Sequence, residues 1–111
     1  MKIIICGDRN WTDIELITNY INSLPKGTLI IQGECRGVDL IAKKAAKKLG
    51  YPTTDKYTAN WTLYDSLGYP KGAAGPIRNR KMLEEEPDLV VAFHDNLAFS
   101  KGTKDMLSAA K

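Results

Sequence analysis

Three short apolar runs punctuate the chain: KIIIC at Lys2–Cys6, TLIIQ at Thr28–Gln32 and DLVVAF at Asp88–Phe93. Their hydrophobic positions are continuous, not alternating, and rich in β-branched residues. That is the pattern of parallel strands covered on both faces. Between them the apolar positions recur at helical spacing. Ile14, Ile17, Tyr20, Ile21 and Leu24 form one stripe behind Asp13, a residue suited to an N-cap, and Pro25-Lys26-Gly27 ends it. Val38, Ile41, Ala42, Ala45 and Leu49 form a second stripe that stops at Gly50, with Lys43, Lys44, Lys47 and Lys48 on the other side. A weaker extended segment, PTTDKYTA, follows, then a long irregular stretch, a helix over about Gly75–Glu85 and a last helix from about Gly102. The order β-α-β-α-β-loop-α-β-α predicts one α/β domain over residues 1–111. Its sheet is parallel, doubly wound and of four or five strands, with helices on both faces.

Composition changes this picture little. A hydrophobic fraction of 43% and a charged fraction of 26% belong to an ordinary folded domain. No apolar run approaches the ~20 residues that cross a bilayer, so no membrane role and a cytoplasmic location are expected. The net charge of +3 suits an anionic ligand but is too small to argue for duplex DNA, and the lysine-rich helix reads as a solvated face. Cys6 and Cys35 lack CxxC spacing and His94 is the single histidine, so neither a metal nor a cofactor is expected. Both cysteines read as small buried apolar side chains.

Ligands of such sheets sit outside the carboxyl ends of the strands, at the topological switch point. The segments leaving those ends are GDRNWTD, GECRGVD and HDNLAFSKGT, which should face one crevice. Gly7, Gly33, Gly37 and Gly102 allow close backbone approach beside helix starts, where unpaired N–H groups favour phosphate. Arg9, Arg36 and Lys101 add charge at the same end, and Thr103 opens the last helix beneath them. The run GAAGPIRNRKM, with Ala74, Gly75 and Pro76 before Arg78 and Asn79, is a further small-sided loop followed by arginine. Neither GxGxxG nor GxxxxGK[ST] occurs. Glu34 and Asp39 could hold a ribose hydroxyl, although Asp13 and Asp39 equally suit helix caps. Trp11 and Trp61 could stack on a base, with Trp61 favoured by its long irregular segment; packing is the competing reading for both. His94 at a strand end could be a general base or a ligand contact.

These motifs, in this order and over nearly the whole chain, resemble the small Rossmann-like domains of the SLOG superfamily, most of all its YspA-related branch. The resemblance implies a fold that binds nucleotides or nucleotide-derived ligands. Relatives include the LOG phosphoribohydrolases, the DNA-processing protein A family and sensor domains for cyclic ADP-ribose-like signals. It makes GAAGP the ligand-facing loop. Arg78 and Met82 keep the LOG Arg-x-x-x-Met spacing, which makes Arg78 a phosphate or ribose contact. The LOG Gly-Gly-x-Gly-Thr-x-x-Glu signature, whose Glu is catalytic, is matched only by FSKGTKDM, with Met106 at the Glu position. Asp105 would point ~100° away around a helix. The expectation is therefore a binder without turnover: a sensor, or a sequestering protein of the kind a phage would use as an anti-defence sponge for ADP-ribose-type signals. A phosphoribohydrolase-like enzyme and a single-stranded nucleic-acid binder are the alternatives. A homodimer is expected, from apolar sheet edges and the pairing of SLOG relatives.

Overall fold

The computed structural model describes residues 1–55, 57, 66–68, 74–94 and 106. Strand β1 (Lys2–Gly7) is central, with β2 (Leu29–Ile31) on one side and β3 (Leu89–Phe93) on the other, all parallel. Ile4 lies opposite Ile31 and Val90, and Gly7 opposite Phe93. Because successive strand residues face opposite ways, Ile3 and Ile5 join one core and Ile4 and Cys6 the other. That two-sided burial is why the run is continuous. Each fully buried isoleucine contributes on the order of 1.5–3 kcal/mol.

Helices α1 (Ile14–Asn22) and α2 (Val38–Leu49) cover the Ile3–Ile5 face. Asp13 caps α1, its Oδ1 accepting the Leu16 N–H at 3.0 Å, and Ile17 and Ile21 turn into the core. Along α2, Ala42, Ala45 and Ala46 keep the buried side small, and Gly50 closes the helix in the left-handed conformation. Helix α3 (Ala74–Leu83) serves the opposite face through Met82, which packs with Ile4, Cys6, Ile31 and Met106. The fold is thus the small Rossmann-like arrangement, with helices on both faces of a parallel sheet.

Over its described residues, 52–55 and 57, the PTTDKYTA segment does not form the expected strand. It makes a single parallel bridge, Ile30 to Thr53. Pro52 has no N–H to give a ladder, and the buried Gln32 side chain takes the Thr54 carbonyl at 2.6 Å. The described sheet therefore has three strands. Among the described residues, no helix is long and apolar enough to cross a membrane, and no cluster of three or more His, Cys, Asp or Glu could hold a metal.

Candidate ligand site at the strand ends

With strand order β2-β1-β3, the chain moves from one side of β1 to the other, and the switch point lies above the β1–β3 pair. The two strands are very close there. A Cβ on Gly7 would sit 2.0 Å from the Phe93 carbonyl oxygen, and the Asp8 N–H donates to that oxygen at 2.9 Å.

The loops after β1 and β2 are stacked backbone on backbone. Gly37 has φ +80°, and a Cβ on it would lie 2.2 Å from the Asp8 carbonyl oxygen and 2.6 Å from that of Arg9. The Asp8 carbonyl accepts from Trp11 N at 3.2 Å and from Val38 N at 3.1 Å. The first N–H of α2 is therefore spent on the neighbouring loop. Within the β2–α2 loop, Asp39 Oδ2 accepts from Gly33 N at 3.1 Å, and its carboxylate also takes the Cys35 N–H. Gln32 Oε1 accepts from Glu34 N at 2.6 Å. The N–H groups of Arg36, Gly37 and Asp39 are taken by none of these contacts.

Arg78 brings full charge to this loop from the other side of the sheet. Its guanidinium lies against Gly33, where a Cβ would stand 2.9 Å from Cζ, Nε and Nη1. A side chain there would displace the guanidinium. Nη1 donates to Cys35 Sγ at 2.8 Å and, at 3.4 Å, to the Gly33 carbonyl. Nε and Nη2 both donate to Asn79 Oδ1, at 3.3 and 3.1 Å, and Asn79 is itself only 2% exposed. An arginine held in this fork presents charge in a fixed orientation, the arrangement that suits phosphate and carboxylate.

Two buried acids sit under it. Asp39 is 5% exposed, and burial pushes its carboxyl up to about 6 despite the opposing pull of Arg78, the Cys35 and Gly33 N–H groups and Arg9. Burial pushes the Cys6 thiol up to about 12, with Asp39 adding to the effect and Arg78 opposing it. A thiol so placed stays protonated and unreactive.

The remaining expected residues divide. Arg9 and Arg36 are exposed on the two stacked loops, and His94 is half-buried just beyond β3. Gly75 and Pro76 stand in the first turn of α3, and Ala74 opens that helix. Glu34 has φ +56° and pairs with Lys43 on α2. Trp11 is turned away from the strand-end cleft: its Nε1 donates to the Asp13 carbonyl at 3.0 Å, its ring meets Phe93 at 5.9 Å, and it lines a groove between α1 and α2. Trp61, Lys101, Gly102, Thr103 and Asp105 lie outside the described residues. Met106 is helical and 1% exposed, part of the core under the sheet. Cys6 is buried as expected, but Cys35 is half-buried against Arg78 and belongs to the site. Its position between two glycines in GECRG was the available signal.

The family model described as YspA, cpYpsA-related SLOG family matches residues 1–64. That stretch carries β1, β2, α1, α2 and the two stacked loops. Among solved structures, the chain is similar to the X-ray structure of DNA processing protein A (DprA) from Streptococcus pneumoniae, with 18% identity and a TM-score of 0.54. The match covers 97% of this chain and 56% of that one, so the chain spans little more than half the neighbour's length. At this identity the likeness concerns the fold. The comparison with curated proteins gave no match.

Proposed function

The chain belongs to the YspA, cpYpsA-related SLOG family, and from that membership we propose that it binds a nucleotide-derived ligand at the strand-end cleft without turning it over. The observation that carries the reading is Arg78, clamped over the Gly33 backbone by Asn79 and Cys35. In this reading the guanidinium receives a phosphate or ribose, helped by the N–H groups of Arg36 and Gly37 and by the exposed Arg9 and Arg36 side chains. An ADP-ribose or cyclic ADP-ribose-type signal fits the class, with the protein sensing or sequestering it. Absence of turnover is supported by Met106. N-glycosidic cleavage needs a carboxylate to support developing positive charge or to activate water, and here a buried thioether stands at the matching position.

Thermal unfolding in the presence of AMP, ADP-ribose and cyclic ADP-ribose isomers tests the proposal, since binding to the native state raises stability. At least one should stabilise the protein, and chromatography should return it intact. Arg78→Ala should weaken that binding by roughly 1.5–3 kcal/mol, the size of a hydrogen bond to a charged group. Free base or ribose phosphate accumulating at catalytic rates would refute the reading and favour the enzyme. Stabilisation by a single-stranded oligonucleotide alone would favour a nucleic-acid ligand, the direction suggested by the DNA processing named for the structural neighbour.

A further inference from the structure

The groove beside Trp11 lies on the outer side of the α1–α2 pair and encloses about 340 Å³. Trp11 and Ile14 form one wall, and Leu40, Ile41 and Ala45 the other; Lys44 and Lys48 stand at the rim. The core does not use this surface fully. Ile17 and Ile21 of α1 are fully buried, whereas Ile14 on the same helix is 62% exposed. The walls are preformed. Trp11 has spent its indole N–H on Asp13 and its backbone N–H on Asp8, and is backed by Phe93, so it offers only its ring. Gly37 at one end is pinned against Asp8 and Arg9. Lys44 and Lys48 are exposed and one helical turn apart, and the lining residues include no acid.

We infer that this groove is a second ligand site, for an amphipathic organic anion: a compact aromatic or aliphatic body carrying one carboxylate, sulfonate or phosphate. The volume is at the lower end of small-molecule pockets, and an apolar lining with a few polar groups is their usual composition. The two ammonium groups select the charge. A second copy of the chain is a poorer occupant, because a two-fold interface packs the patch on itself and would bring both lysine pairs together. The groove meets the strand-end site at Gly37, whose backbone borders both, and Arg78 is not among its lining residues.

Titration with 8-anilinonaphthalene-1-sulfonate tests it, followed by probe emission and by backbone amide shifts. One probe per chain should bind, moving the amides of Thr18, Leu40 and Ala45. The Lys44→Glu, Lys48→Glu double variant and, separately, Ile14→Ser should each weaken binding about tenfold, as loss of a charged or apolar contact predicts, while Arg78→Ala changes nothing. Competition by decanoate or by AMP would identify a carboxylate or a nucleotide as the preferred form of the same class. Unchanged affinity in both variants, or shifts confined to other residues, would overturn the inference. So would self-association that Ile14→Ser abolishes, which would assign the groove to a second copy.

Discussion

Replacing Asp39 by Asn isolates a charge that the fold buries at a cost. Its carboxyl is raised from the ordinary 3.8 to about 6, chiefly by burial. The native state therefore binds this proton more tightly than the unfolded chain does. Stability contributed by the neutral acid is complete below pH ~4 and is lost as pH rises through about 6. Each tenfold change in proton affinity is worth ~1.4 kcal/mol, so the full loss is about 3 kcal/mol. Other carboxylates titrate in the same range, which makes the wild-type curve alone uninformative. The difference between wild type and Asp39→Asn cancels them. Urea unfolding of both proteins from pH 3 to pH 8, followed by circular dichroism, should show wild type losing about 3 kcal/mol relative to the variant. Altered hydrogen bonds to Gly33 and Cys35 add an offset to the difference, but an offset has no pH dependence. Because Arg78 pulls the carboxyl down, Arg78→Ala should extend the loss to higher pH. A flat difference between wild type and Asp39→Asn would refute the account and leave Asp39 as an ordinary loop acceptor.

Two glycines separate packing from ligand binding. Gly37→Ala should destabilise by about 3 kcal/mol, since positive φ and overlap with the Asp8 carbonyl act together; chemical denaturation measures this, and a loss near zero would contradict the backbone stacking. Gly33→Ala meets only the flexible end of Arg78, so it should cost about 1 kcal/mol yet weaken nucleotide binding as Arg78→Ala does, which calorimetry can read. The chain should also form a homodimer at tens of micromolar, an order-of-magnitude concentration for ordinary affinities, and the dimer should survive Ile14→Ser; a monomer in sedimentation would exclude it.

The elements most legible in the sequence are those whose boundaries are local. Helix α2 runs from Val38 to Leu49 as read from its apolar stripe, because Gly37 and Gly50 supply the conformations that start and stop it. Strand β1 was readable because three consecutive isoleucines have no other economical burial than between two helical layers. The PTTDKYTA segment misled because its threonines suit a strand, while the outcome depended on Pro52 and on a Gln32 side chain that competes with the ladder. Asp39 could be narrowed only to cap or ligand contact, since its partners Gly33 and Cys35 are set by how the loop folds back.

The site shows the same division more sharply. Glycine spacing announced that backbone would come close to something, but not to what. At Gly7 the neighbour is the Phe93 carbonyl, at Gly37 it is the loop of Asp8 and Arg9, and at Gly33 it is the Arg78 guanidinium. The first two glycines serve the packing of strands and loops. Only the third faces a charged group with hydrogen-bonding capacity, and that group arrives from α3, 45 residues along the chain. Trp11 follows from the same long-range geometry: Phe93 on β3 holds its ring on the α1–α2 side, away from the cleft that its sequence neighbours Asp8 and Arg9 border. A motif can thus identify the end of the sheet where chemistry is possible. Which of its residues face a ligand and which face each other is decided by contacts between segments far apart in sequence.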